Sequence, residues 1–187
     1  MSEGTSEVLS MRETIKNLLH IIPGYQGYAA REQRRDADQA LRDYLAQHYG
    51  AERQALMALT RNAVEAGAFG TLEQLEGITQ TLDRFIARLE SAPRGYTSWF
   101  SEARIDESDL DRLYAFDAAM ADHLPLLHEQ IAAVGQQIAA SEPGHERAID
   151  EALTNLRALV DGLHTQFDAR QELLAAGKQI PGKPPLP

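Results

Sequence analysis

The sequence predicts an all-α protein: an elongated helical bundle with a C-terminal antiparallel, coiled-coil-like helical hairpin. Three observations predict it. Apolar residues recur at steps of three and four along most of the 187 residues, the period of one helix face. Nowhere does the alternation of a half-buried strand take over. Two long apolar stripes in the C-terminal half are separated by a short Pro-Gly connection, which turns one helix back along the other. The expected organisation is a single all-α domain over residues 1–176, followed by a Pro-rich flexible tail over 177–187.

The first element is an amphipathic helix over 6–22. Val8, Met11, Ile15, Leu18 and Ile22 form its stripe, Ser6 is a plausible N-cap, and Pro23-Gly24 stops it. Residues 25–66 hold helices two and three. The second starts near Tyr25–Ala29 and carries Ala37, Leu41, Tyr44, Leu45 and His48 inward. The third carries Leu56, Leu59, Ala63 and Val64. Gly50 either breaks the two apart or sits inside one long helix, since a lone glycine costs only about 1 kcal/mol. Gly67 to Gly70 is a stop. Thr71 caps a helix over 71–91, with Leu72, Leu75, Thr79, Leu82, Ile86 and Leu89 as its stripe.

Residues 106–176 form the hairpin. One stripe reads Leu110, Leu113, Asp117, Met120, Leu124, Leu127, Ile131, Val134 and Ile138. Its mate reads Ile149, Leu153, Leu156, Val160, Leu163, Phe167, Arg170 and Leu174. Such alternation is a coiled-coil seam. Pro125 lies inside the first stripe and is expected to kink it. Folding the pair about residues 143 and 144 sets apolar residues side by side except once, where Asp117 faces Arg170. A slipped register would strand both charges among aliphatic groups. Asp117 and Arg170 are therefore expected to form a structural ion pair that fixes register, as buried polar residues do in coiled coils.

Composition excludes several functions. There is no cysteine, hence no disulfide, thiolate zinc site or thiol catalysis. No apolar run reaches the length of a transmembrane span. The start, Met1 to Glu7, is acidic and small, unlike a secretory leader, so the cytoplasm is the expected compartment. Net charge is −10. Residues 1–70 hold 8 basic and 9 acidic side chains, and residues 71–187 hold 10 and 19. Such a body repels nucleic acid and anionic headgroups.

The most distinctive local sequence is Pro23-Gly24-Tyr25-Gln26-Gly27-Tyr28, followed by Arg31, Arg34, Arg35, Asp36, Asp38 and Arg42. A glycine turn before a helix frees backbone N–H groups, and Tyr25, Tyr28, Arg31, Arg35 and Arg42 could there receive an anion or a partner. The competing reading is a tight turn whose tyrosines pack on the bundle, beside a helix whose arginines pair with Glu32, Asp36 and Asp38. Trp99 and Phe100, after Pro93-Arg94-Gly95, are candidate interface anchors or a lid on the bundle. The paired Glu-x-x-His motif of a bundle metal site is missing, and no nucleophile elbow or phosphate loop is present. No catalytic residue, metal ligand or cofactor is expected.

The motif over Ile21 to Leu45, Pro-Gly-Tyr-x-Gly-Tyr and then Arg-Arg-x-Ala-Asp, resembles one near the N-termini of uncharacterised bacterial all-helical proteins. The resemblance implies an all-helical fold and brings no known activity with it. The expected function is a non-enzymatic interaction or scaffolding protein of the bacterial cytoplasm, with a protein partner or self-association. The alternatives are a module for a small anion or phosphorylated ligand at Tyr25–Arg42, and a hairpin in weak contact with a membrane surface through its first helix.

Overall fold

The computed structural model describes residues 13, 15–28, 30, 33–91, 107–140 and 146–176. Every regular element among them is helical. Helix α1 covers residues 15–21. Helix α2 follows over Arg34–Glu65, then a 3-10 turn over Phe69–Thr71 and helix α3 over Leu72–Ser91. Helices α4, Glu107–Ala139, and α5, Glu146–Ala176, form the C-terminal hairpin. No helix among the described residues is long and apolar enough to cross a membrane.

Local chemistry explains where the helices stop. After α1 the Tyr25 amide still bonds Ile22 O at 3.2 Å, and Gly24 turns the chain at φ +75°. Helix α2 begins at Arg34 rather than near Tyr25–Ala29. The reason is Gly27, whose φ of +73° is incompatible with a helix and turns Tyr28 inward. Once begun, α2 runs unbroken through Gly50, because favourable neighbours outweigh one glycine. Its end is a Schellman motif. Ala68 N bonds Ala63 O at 2.9 Å, Gly67 N bonds Val64 O at 3.1 Å, and Gly67 takes the left-handed conformation at φ +72°. Thr71 does not cap α3 with its side chain, for its hydroxyl donates to Ala68 O at 2.8 Å instead.

The α3 stripe is rotated from the expected one. Leu75, Ile78, Leu82, Phe85 and Leu89 are buried, whereas Thr79 and Ile86 are half-exposed. Both sets step by three and four, and only the position of Phe85 against a neighbour selects between them. In α4 and α5 the seam is buried as spaced, with Leu110 and Leu124 alone half-exposed. Pro125 lies on the exposed side of a continuous α4. The reversal at Ser141–His145, the start of the first helix, Trp99, Phe100 and the tail over 177–187 lie outside the described residues.

Contacts gather the chain into two compact units. Helices of 31 to 33 residues run about 46–50 Å, so successive stretches of one helix meet different neighbours. The first unit takes residues 1–44, 92–119 and 166–187. Its described core holds Leu18, Ile22, Leu41, Leu113 and Leu174, with Tyr25 and Tyr28. The second takes 45–91 and 120–165. There Phe85 stands edge-on to Tyr49 at 5.1 Å and to His164 at 5.5 Å.

Candidate functional site

Four buried polar or charged residues, Asp38, Arg42, Asp117 and Arg170, lie in the first unit. They come from α2, α4 and α5, and the Tyr25–Tyr28 turn joins them. Asp38 and Arg42 are one turn apart on α2, each beside a core residue, Ala37 or Leu41. Helix pitch thus carries both inward. Asp117 and Arg170 occupy seam positions of α4 and α5, where apolar neighbours shut out water.

Arg170 is the hub. Its Nε donates to Asp117 Oδ1 at 2.7 Å, and its Nη2 donates to Asp38 Oδ1 at 2.7 Å and to the Tyr28 hydroxyl at 3.2 Å. Its Nη1 has no hydrogen-bond partner. Asp117 Oδ2 accepts the Tyr28 hydroxyl at 2.5 Å and the Tyr25 hydroxyl at 3.4 Å. Asp38 Oδ2 accepts from Arg42 Nε at 3.0 Å, and Arg42 Nη2 reaches Gln39 Oε1 at 3.0 Å. Two guanidinium groups thus face two carboxylates, and the charges balance.

The turn is locked by a further tyrosine. The Tyr28 amide donates to the Tyr114 hydroxyl at 2.6 Å, while Arg34 Nε donates to Tyr28 O at 2.7 Å. A Cβ on Gly27 would lie 2.6 Å from the Tyr114 hydroxyl oxygen. Glycine is therefore required at position 27 both for its positive φ and for this approach.

Burial sets the ionisation. Burial, and then the Asp117 carboxylate, push the Tyr25 and Tyr28 phenols above their ordinary value, so both remain donors. Burial alone would pull the Arg170 guanidinium down, but Asp117 and Asp38 push it well above its usual value. Burial also drives the Asp117 carboxyl up, against the opposing pull of Arg170 and Tyr28. A pair desolvated this deeply gives register more surely than it gives net stability.

The structure brings together Tyr25, Tyr28, Arg42, Asp117 and Arg170. Tyr25 is 4% and Tyr28 0% exposed, so neither ring offers a face to a ligand. Arg42 is committed to Asp38, whereas Arg35, in the first turn of α2, is exposed. The arginines read as a possible anion site are thus divided between core and solvent, and Arg31 lies outside the described residues. An anion at this place would have to displace Asp38 or Asp117. Sequence reasoning missed Tyr114, the bond of Arg34 to Tyr28 O, and the reach of Asp38 beyond its own helix to Arg170. The available signals were the Asp38–Arg42 spacing beside Ala37 and Leu41, and an aromatic residue one turn before Asp117.

Polar contacts of the second unit join its helices. Tyr49 donates to Met120 O at 2.6 Å. His164 lies between Thr81 O, 3.0 Å from Nε2, and Arg88 Nη1, 3.1 Å from Nδ1. Since Arg88 can only donate, the ring proton sits on Nε2. Among the described residues no group of three His, Asp or Glu is placed to hold a metal ion. No protein-family model, no curated protein and no solved structure matches the chain.

Proposed function

We propose that this chain is a non-enzymatic interaction or scaffolding protein of the bacterial cytoplasm, acting through the outer faces of its helices. The observation that carries this reading is the closure of the polar cluster. The residues with the most chemical capacity, Arg170, Asp117, Asp38 and Tyr28, are buried and bonded to one another. Their arrangement orients helices and presents nothing reactive to solvent. Large apolar side chains remain outside, among them Phe69 at 66% exposure and Leu126 at 48%, and such groups anchor protein contacts when a partner covers them.

Native pull-down with mass spectrometry, together with light scattering at several concentrations, tests the reading. Reproducible co-purification of a partner, or concentration-dependent self-association, is the expected result. A strict monomer that brings nothing with it from lysate would count decisively against it. The small-anion alternative predicts thermal stabilisation by phosphate or nucleotides that Arg35→Ala removes. The commitment of Arg42, Tyr25 and Tyr28 to internal bonds argues for no shift at millimolar ligand.

A further inference from the structure

Within the second unit, α4 and α5 leave an apolar groove of about 400 Å³ on their outer side. Its apolar lining is Leu126 from α4 and Ala158, Leu159 and Gly162 from α5, and His123, Gln130 and Asn155 complete it. A glycine in the middle of a helix costs about 1 kcal/mol relative to alanine, and internal packing does not demand this one. A Cβ built on Gly162 meets nothing within 4 Å. The space above it is open to an incoming side chain.

The rim of this groove is acidic. Asp122 and Glu129 stand four and three residues from Leu126, and so share its ridge on α4. Asp161 and Glu151 hold the matching positions on α5, three residues from Ala158 and four from Asn155. All four are exposed. Between residues 119 and 133 there is no Lys or Arg, and between 151 and 165 there is only Arg157. Arg157 is directed elsewhere, since its Nη2 lies 2.9 Å from the Cβ position of Gly77 on α3. His128 bonds Glu52 of α2 at 3.2 Å. Arg157 thus reaches toward α3 and His128 toward α2, while the four carboxylates on the ridges beside the groove stay exposed.

We propose that this groove is the docking site for a basic amphipathic helix of a partner protein, one that sets aliphatic knobs over Ala158 and Gly162 and flanks them with Lys or Arg. The chemistry is the helix-in-groove mode, with rim charge supplying attraction and selectivity. A second copy of this chain does not fit, because it would bring acid to acid. Nucleic acid and anionic membranes are excluded by the same sign of charge. The proposal rests on the reading of the chain as an interaction protein and names the partner's chemistry.

The test uses the full chain and a fluorescent Leu/Lys amphipathic helical peptide, with a Leu/Glu peptide of the same pattern as its counterpart. The expected result is saturable binding of the Leu/Lys peptide alone, weakening as salt rises. Gly162→Leu fills the groove from outside the core, so it is expected to keep or raise the melting temperature while abolishing binding. Asp122→Lys with Asp161→Lys is expected to weaken binding by more than about tenfold. The proposal is overturned by absence of Leu/Lys binding, by equal binding of the Leu/Glu peptide, or by binding that neither variant alters. Any of these results, obtained beside a partner captured from lysate, would remove this groove and leave the broader reading standing.

Discussion

Arg170 receives more from its surroundings than a single opposite charge. Register alone puts it beside Asp117, yet it also holds Asp38 and the Tyr28 hydroxyl. Arg170→Leu is therefore expected to destabilise by about 3–5 kcal/mol, the usual result of leaving a buried charge unpaired. Asp117→Leu with Arg170→Leu is expected to recover only part of this. Asp38 keeps Arg42, but the buried Tyr28 hydroxyl loses both Asp117 and Arg170, a loss of about 1–3 kcal/mol. Adding Tyr28→Phe to the double variant is expected to raise stability, and urea unfolding of the three proteins checks the order. A triple variant weaker than the double would show that Tyr28 does not depend on this cluster. The two glycines of the turn offer a second comparison. Gly24→Ala meets nothing but its positive φ and is expected to cost about 1–2 kcal/mol. Gly27→Ala carries the same strain and also drives into the Tyr114 hydroxyl, so its melting temperature is expected to fall further. Equal losses would mean that the Tyr114 contact is soft.

The helices show which patterns decide an outcome and which leave it open. The seams of α4 and α5 were legible in the sequence because nine and eight positions repeat without a competing set. In α3 two sets compete, Thr79 with Ile86 and Ile78 with Phe85, and their periods are the same. Only the fit of Phe85 against Tyr49 and His164 decides, and no single helix contains that information. The Asp117–Arg170 contact followed from spacing, whereas Asp38 joins the cluster because α2 brings it to Arg170 of α5, and Tyr114 because the Tyr25–Tyr28 turn reaches α4. Gly50 gives a prediction for α2. It is helical, and a Cβ there meets nothing within 4 Å. Gly50→Ala is therefore expected to stabilise the protein by about 0.5–1 kcal/mol, seen as a higher midpoint in thermal unfolding. A lower midpoint would reveal a role for the glycine in packing that the helix itself does not require.

For the molecule as a whole, stability and acidity are linked through Asp117. Its carboxyl is raised by burial above the ordinary value of 3.8, so between that value and the raised one the folded chain holds a proton that the unfolded chain releases. This contribution is complete below the ordinary value and is lost as pH climbs through the raised one. The unfolding free energy of the wild type, measured against that of Asp117→Asn, is expected to decline with rising pH across the window. A flat difference would mean that the carboxyl ionises alike in both states. Charge balance inside the cluster contrasts with the −10 of the chain: the excess acid resides outside it, available for attraction at a surface. The span of the cluster has a consequence in time. Tyr28 and Arg170 are 142 residues apart, and at about 5–20 residues per second of synthesis the tyrosine is made roughly 7–30 s before its arginine. For the first 89 residues of that interval the turn has neither Asp117 nor Arg170 to hold it, and for the rest it lacks Arg170. The nascent N-terminal segment reaches its native contacts only when the last helix emerges, so the cluster closes at the end of synthesis.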